Sequence, residues 1–256
     1  MTGSAVEVEV QNGVAIFTLT SPPANALGSE VIGGIAAGIE KMEESGAKSL
    51  VLASTIPKFF AAGADLKLIS GFDADGFREY LTGLRGVLER LAALPLVSIA
   101  AIDGYALGGG LELAMACTLR VATARSKLGV PEIKLGLLPG AGGTQRLPRL
   151  IGRGRALDLL LTGRNLSGEE AFAVGLVDRI ASADQVVDVA RELATAFAAG
   201  AGQANAAIVR CVDAAYDLPF AEGMEVEGRE IADLFVTPDA QEGVAAFVEK
   251  RAPRFS

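Results

Sequence analysis

A chain of 256 residues, half of them hydrophobic, is long enough to bury one full core. Its 23 Lys and Arg stand against 31 Asp and Glu, and the net charge of −8 offers nucleic acid no broad basic surface, so an anionic ligand must find a local cationic patch. There is no histidine, which excludes Ser-His-Asp and Cys-His triads and H-E-x-x-H metal sites and leaves proton transfer near neutral pH to other side chains, carboxylates foremost.

Residues 1–10 lack the basic patch and apolar run of a secretory leader. Charged residues interrupt every apolar run before the roughly 18 to 20 residues of a membrane span, so a cytoplasmic protein with no membrane partner is expected. Alternation in Val6-Glu-Val-Glu-Val10, then Asn12-Gly13, then the apolar residues 14–19, reads as a β-hairpin. Pro22-Pro23 stops it, and residues 29–44 carry Val31, Ile35, Ile39 and Met42 at helical spacing, ending near Gly46. Residues 49–53 and 96–102 are continuous apolar runs with β-branched residues, as in strands covered on both faces. Between them residues 73–94 form an amphipathic helix, and further strands are expected over 119–122 and 176–180. Strand, turn and helix thus repeat to about residue 180, which is an α/β pattern with both layers sharing one core. From Asp184 the strand signals vanish, and residues 186–199, 204–215, 220–235 and 238–250 read as helices. Cys117 and Cys211 lie far apart in apolar settings and are expected to be buried free thiols.

Three glycine-bearing stretches carry the chemistry. In Gly104-Tyr-Ala-Leu-Gly-Gly-Gly-Leu-Glu112 a buried strand runs through glycines into an apolar helix. Glycines there let a ligand approach the backbone, and free N–H groups at the helix start can hold an oxyanion, although a tight strand-to-helix turn needs glycines too. Glu112 tips the balance, because a carboxylate in an apolar helix needs a partner or a shifted pKa. In Lys58-Phe-Phe-Ala-Ala-Gly-Ala-Asp-Leu-Lys67 a second set of N–H groups can join the first; the alternative is a surface turn capped by Asp65. Glu132 opens the third stretch, Pro131-Glu-Ile-Lys-Leu-Gly-Leu-Leu-Pro-Gly-Ala-Gly-Gly-Thr-Gln-Arg146. Its glycine cluster lacks the last glycine of G-x-G-x-x-G and the Lys-Ser or Lys-Thr of a P-loop, so it is no dinucleotide or ATP site.

On these motifs, together with Pro23-Ala-Asn25-Ala-Leu27 and Glu242-Gly-Val-Ala-Ala-Phe-Val-Glu-Lys-Arg251, the chain resembles the enoyl-CoA hydratase/isomerase, or crotonase, superfamily over nearly its whole length. The resemblance implies a crotonase-like spiral of repeated ββα units over residues 1–190, for CoA-thioester binding and catalysis. Residues 191–256 would then be a C-terminal helical region for trimerisation, giving a homotrimer or a homohexamer built as a dimer of trimers. It implies an oxyanion hole from the backbone N–H groups of Ala64 and Gly109, the middle glycine of its triplet. Glu112 is then the group that deprotonates water, Glu132 the proton donor, and the Gly140 N–H helps hold the water. Ala62, Ala64, Asp65, Leu66, Lys67 and Gly109 are expected to bind the acyl-CoA thioester. Phe247 and Lys250 would complete the adenine pocket of a neighbouring subunit, with Lys250, Arg251 and Arg254 as the clearest basic cluster. Residues 68–77 would line or cover the acyl pocket. No metal and no cofactor are implied beyond the coenzyme A carried by the substrate.

Both glutamates favour a hydratase acting on 2-trans-enoyl-CoA over a crotonase-fold isomerase, hydrolase or decarboxylase, which vary these acid and base positions. A non-catalytic or RNA-binding member is the reading from another class. The charge of −8 opposes RNA binding, and the glutamate pair opposes a purely structural role.

Overall fold

The alternating first stretch and the apolar one after it pair antiparallel as β1 (Val6–Gln11) and β2 (Val14–Leu19) in the computed structural model, which describes residues 4–255. Met1, Thr2 and Gly3, part of the stretch read for a leader, and Ser256 lie outside the described residues. The turn holds Asn12 and Gly13 at φ of 53° and 75°, the positive values that a two-residue hairpin loop requires.

The chain then repeats one unit. A short β3 (Ala26–Leu27) leads into α1 (Ser29–Ser45), which buries Val31, Ile35, Ile39 and Met42 and stops at Gly46. Next come β4 (Ser49–Ser54), β5 (Phe59–Ala61), β6 (Gly63–Ala64), the single turn α2 (Leu66–Ile69) and the long α3 (Ala74–Ala92). The following unit is β7 (Val97–Ile102), β8 (Tyr105–Leu107) and α4 (Gly109–Ala116). After it come β9 (Leu119–Thr123), β10 (Lys127–Gly129), a 3-10 helix over Pro131–Leu135, α5 (Gly143–Ile151) and α6 (Arg153–Thr162). The last small elements are β11 (Asn165–Ser167), α7 (Gly168–Ala173) and β12 (Arg179–Ala181).

The first strand of each unit joins a six-stranded sheet of order β1-β2-β4-β7-β9-β12, parallel beyond the hairpin. From β5 on the second joins a smaller sheet of order β11-β10-β8-β5, while the two-residue β3 and β6 pair with each other. This two-sheet winding is the expected ββα spiral. The apolar runs of β4 and β7 follow from it: Leu50 and Leu52 face the main core with α1 and α3, while Val51 and Ala53 face a second core beneath α8 (Val186–Ala198).

α8 lays Val186, Ala190, Ala194 and Ala198 on the large sheet, and Ser49 Oγ donates to the Ala194 carbonyl at 2.8 Å. A division after residue 190 falls inside this helix. The helices beyond it bury little: α9 (Gly202–Asp217) buries Ala206 and Ala207, α10 (Phe220–Phe235) nothing, and α11 (Pro238–Val248) Ala246. Cys211, expected in a core, is consequently only half-buried on α9, whereas Cys117 is buried. The strand expected over 176–180 begins only at Arg179. The Leu176 carbonyl accepts from Arg120 Nε at 2.8 Å, and Asp178 pairs with the same guanidinium at 2.9 Å, so these residues serve Arg120 first. No helix among the described residues is long and apolar enough to cross a membrane.

Candidate active site

β5, β8 and β10 are parallel neighbours in the smaller sheet, so the turns at their carboxyl ends open along one edge, where ligands of open α/β sheets bind. Those turns deliver Ala64, Gly109 and Glu132 to one place. A Cβ added at Gly63 would lie 3.3 Å from Gly109 N, and one at Gly109 would lie 3.7 Å from Ala64 N and 3.8 Å from Glu112 Oε2. Gly109 is the first residue of α4, so its N–H has no acceptor inside the helix. Gly108 sits at φ 51°, and a Cβ there would come within 2.5 Å of Glu132 Oε1, so the carboxyl group of Glu132 rests against bare backbone.

The two carboxyl groups have different surroundings. Glu112 is only 2% exposed, in the first turn of an otherwise apolar buried helix. The N–H groups of Ala141 and Gly143 donate to its Oε1 at 2.8 and 2.7 Å. Burial pushes its pKa up, opposed by these two bonds and by the Arg146 guanidinium. Glu132 has no such cradle. Its Oε2 is buried without a hydrogen-bond partner, and burial, reinforced by the negative charge of Glu112 and opposed by its own backbone N–H, raises its pKa to about 7.

Between them lies a cleft of about 480 Å³. Its apolar wall is built by Ile69, Phe77, Leu81, Leu84, Leu135 and Leu138, so both ends of the stretch expected at the acyl pocket contribute. Tyr80 also lines it; its hydroxyl donates to the Leu27 carbonyl at 2.8 Å, and burial first, then the charges of Asp65 and Glu112, push its pKa up to about 12. Ala62, Ala64, Leu66, Gly109 and Gly140 line the same cleft. Asp65 does what the plainer reading of its turn expected, capping α2 by accepting from the N–H groups of Lys67 and Leu68 at 3.0 and 3.2 Å. Lys67 is exposed on α2. Phe247, 85% exposed, and Lys250 do not line the cleft of this chain. The basic cluster near them is partly neutralised, since Arg251 pairs with Glu242 and Glu249, each at 2.6 Å.

The sequence assigns Gly140 to the water and does not single out the donors that reach Glu112, Ala141 and Gly143, or the cation behind them, Arg146. Their signal was the glycine cluster before α5, which lets a carboxylate meet backbone. A Cβ at Gly143 would stand 3.0 Å from Glu112 Oε1. Among the described residues no group of three or more His, Cys, Asp or Glu is placed to hold a metal ion.

A buried carboxylate on N–H donors, a second carboxyl group whose pKa is raised to about 7, and a helix N-terminus beside them are groups that an enzyme can use to move protons at a polarised carbonyl compound. The sequence profile described as enoyl-CoA hydratase/isomerase matches residues 9–256. The chain is 42% identical over 250 residues to "Probable enoyl-CoA hydratase echA8" of Mycobacterium leprae, covering 95% of this chain and 94% of that one. It is 38% identical to "Probable enoyl-CoA hydratase" of Bacillus subtilis, covering 98% of each. A crystal structure of the enoyl-CoA hydratase from Geobacillus kaustophilus superposes with a TM-score of 0.95 at 34% identity, over 100% of this chain and 98% of its own. The protein belongs to the enoyl-CoA hydratase/isomerase family.

Proposed function

We propose that the protein is an enoyl-CoA hydratase, adding water across the 2,3-double bond of a 2-trans-enoyl-CoA to give the 3-hydroxyacyl-CoA. The observation that carries this is the unlike pair of carboxyl groups on one cleft. Glu112, with Oε1 saturated by two N–H donors, keeps Oε2 for a water proton. Glu132, with a pKa of about 7, carries the proton to be given.

In the reaction so read, the thioester oxygen accepts from the N–H groups of Ala64 and Gly109, which draws electron density out of the double bond. Water bonds to C3 while its proton passes to Glu112, and the Glu132 proton passes to C2. The pair ends with the proton on the other glutamate, and exchange with solvent restores it. The Gly140 N–H helps hold the water. Ala62, Leu66 and the α2 cap at Asp65 frame the thioester, and Lys67 offers charge to the coenzyme phosphates. Nothing in these steps calls for a metal or a cofactor beyond the substrate's own coenzyme A.

We further read the chain as a cytoplasmic homotrimer or homohexamer in which Phe247 and Lys250 close a neighbour's adenine pocket. The exposure of Phe247 and the lack of buried residues on α10 support the assembly. Mixing the protein with a short 2-enoyl-CoA tests the activity directly: the absorbance of the conjugated thioester falls as water adds. Unchanged absorbance across several chain lengths refutes it.

A further inference from the structure

The loop that holds Glu112 has a second face. From one side the N–H groups of Ala141 and Gly143 donate to Glu112; from the other, the Ala141 carbonyl accepts from Arg146 Nη1 at 3.0 Å. The guanidinium fills the space that a side chain at residue 142 would occupy, and Gly142 has φ 110°, so glycine is required there by sterics and by backbone alike. The Arg146 N–H also donates to the Gly142 carbonyl at 2.8 Å, closing the first turn of α5 on the same loop. Arg146 does not line the cleft between the glutamates. It faces a separate cavity of about 820 Å³ between α3, α4, α5 and α9.

We propose that Arg146 is a positioning residue for water activation, clamping Ala141 so that the loop N–H groups stay on Glu112 Oε1 and supplying the cation behind that carboxylate. This rests on reading Glu112 as the base. Burial alone would keep Glu112 protonated, and the fixed positive charge opposes that. Glu132 and Tyr80 also face Glu112, from the 3-10 helix and α3, and neither is a cation. Arg146 shares its cavity with Arg85 and Glu89 of α3, Cys117 after α4, Arg120 of β9, which is paired with Asp178, Arg149 of α5, and Asp213, Tyr216 and Asp217 of α9. Arg149 is engaged by Asp217 at 3.1 Å, which leaves Arg146 as the cation bound to the loop.

The test compares Arg146→Gln, which keeps a donor without charge, with Arg146→Lys, which keeps the charge, using a short 2-enoyl-CoA across pH. Arg146→Gln is expected to lose about 10- to 100-fold in kcat with KM changed by less than about twofold, and its acid limb should move to higher pH. Arg146→Lys should retain the wild-type acid limb, and guanidinium ion in the buffer should restore part of the rate of Arg146→Ala. Independently of turnover, the carboxyl infrared band that Glu112→Gln removes should ionise at higher pH in Arg146→Gln than in wild type. An acid limb and a band unmoved in Arg146→Gln, or a KM that rises as much as kcat falls, overturns the proposal. A wild-type enzyme without hydratase activity refutes the parent reading instead, and the infrared band still decides whether Arg146 keeps Glu112 ionised.

Discussion

Glu112 and Glu132 are the same residue type on one cleft, and their differing surroundings suit them to the two roles proposed. Burial raises the pKa of Glu112, but two N–H bonds and a guanidinium oppose it, while nothing meets Glu132 Oε2. Removing either should cost at least about 100-fold in kcat, the usual scale for acid and base groups, with KM little changed. The sign of the pH dependence follows from Glu132: a donor must hold its proton, so the wild-type rate should fall as pH rises through about 7, where this carboxyl ionises. The residual rate of Glu132→Gln should lose that alkaline limb, because the amide does not titrate. Steady-state rates from pH 5 to 9 check both statements. An alkaline limb that survives the substitution removes Glu132 from the role.

Among the elements, the turn from β8 into α4 is where shape and chemistry meet most closely. Gly108, at φ 51° with Glu132 Oε1 against it, has no room for a methyl group. Gly108→Ala should therefore displace Glu132, lowering kcat by about 10-fold or more, while the backbone conformation alone, φ 51° with ψ −127°, costs about 1 to 3 kcal/mol of stability. Turnover beside a thermal unfolding curve separates the two effects; a wild-type rate in a folded Gly108→Ala protein contradicts the geometry. How far the site is legible in sequence depends on the same distinction between local and distant contacts. The hairpin, α1, β4, α3, β7 and the C-terminal helices are long enough for their periodicity to show, and their ends carry Asn-Gly, Gly46 or Asp73. Strands β3, β5, β6, β8, β10 and β11 are two or three residues long, and they exist only because a partner far along the chain pairs with them. The glutamates stood out as charges among apolar residues and glycines. Ala141, Gly143 and Arg146 did not, since their value lies in reaching a carboxylate about thirty residues earlier, and backbone donors leave no mark on composition.

At the scale of the molecule, the described chain has one well-buried part and one that is scarcely buried. Phe220, Ile231, Phe235, Val236, Phe247 and Val248 are each 61% exposed or more, and all lie on or beside α10 and α11. Large apolar side chains gathered on two neighbouring helices and left this exposed mark an interaction surface rather than scattered surface residues. Burying it against further copies also accounts for a helix such as α10, which has a polar face, an apolar face and no buried residue of its own. Light scattering should then give a mass of three or six times the 26.3 kDa of one chain. Substituting Ile231→Glu with Phe235→Glu should shift that mass toward the single chain, because charges on a covered apolar face lose their hydration. The activity of the dissociated form discriminates further. The glutamates, Ala64 and Gly109 come from one chain, so kcat should largely persist, whereas KM for the CoA substrate should rise if Phe247 and Lys250 serve a neighbour's pocket. A wild-type protein that runs as a single chain at micromolar concentration would contradict the assembly and leave α10 without an explanation for its apolar face.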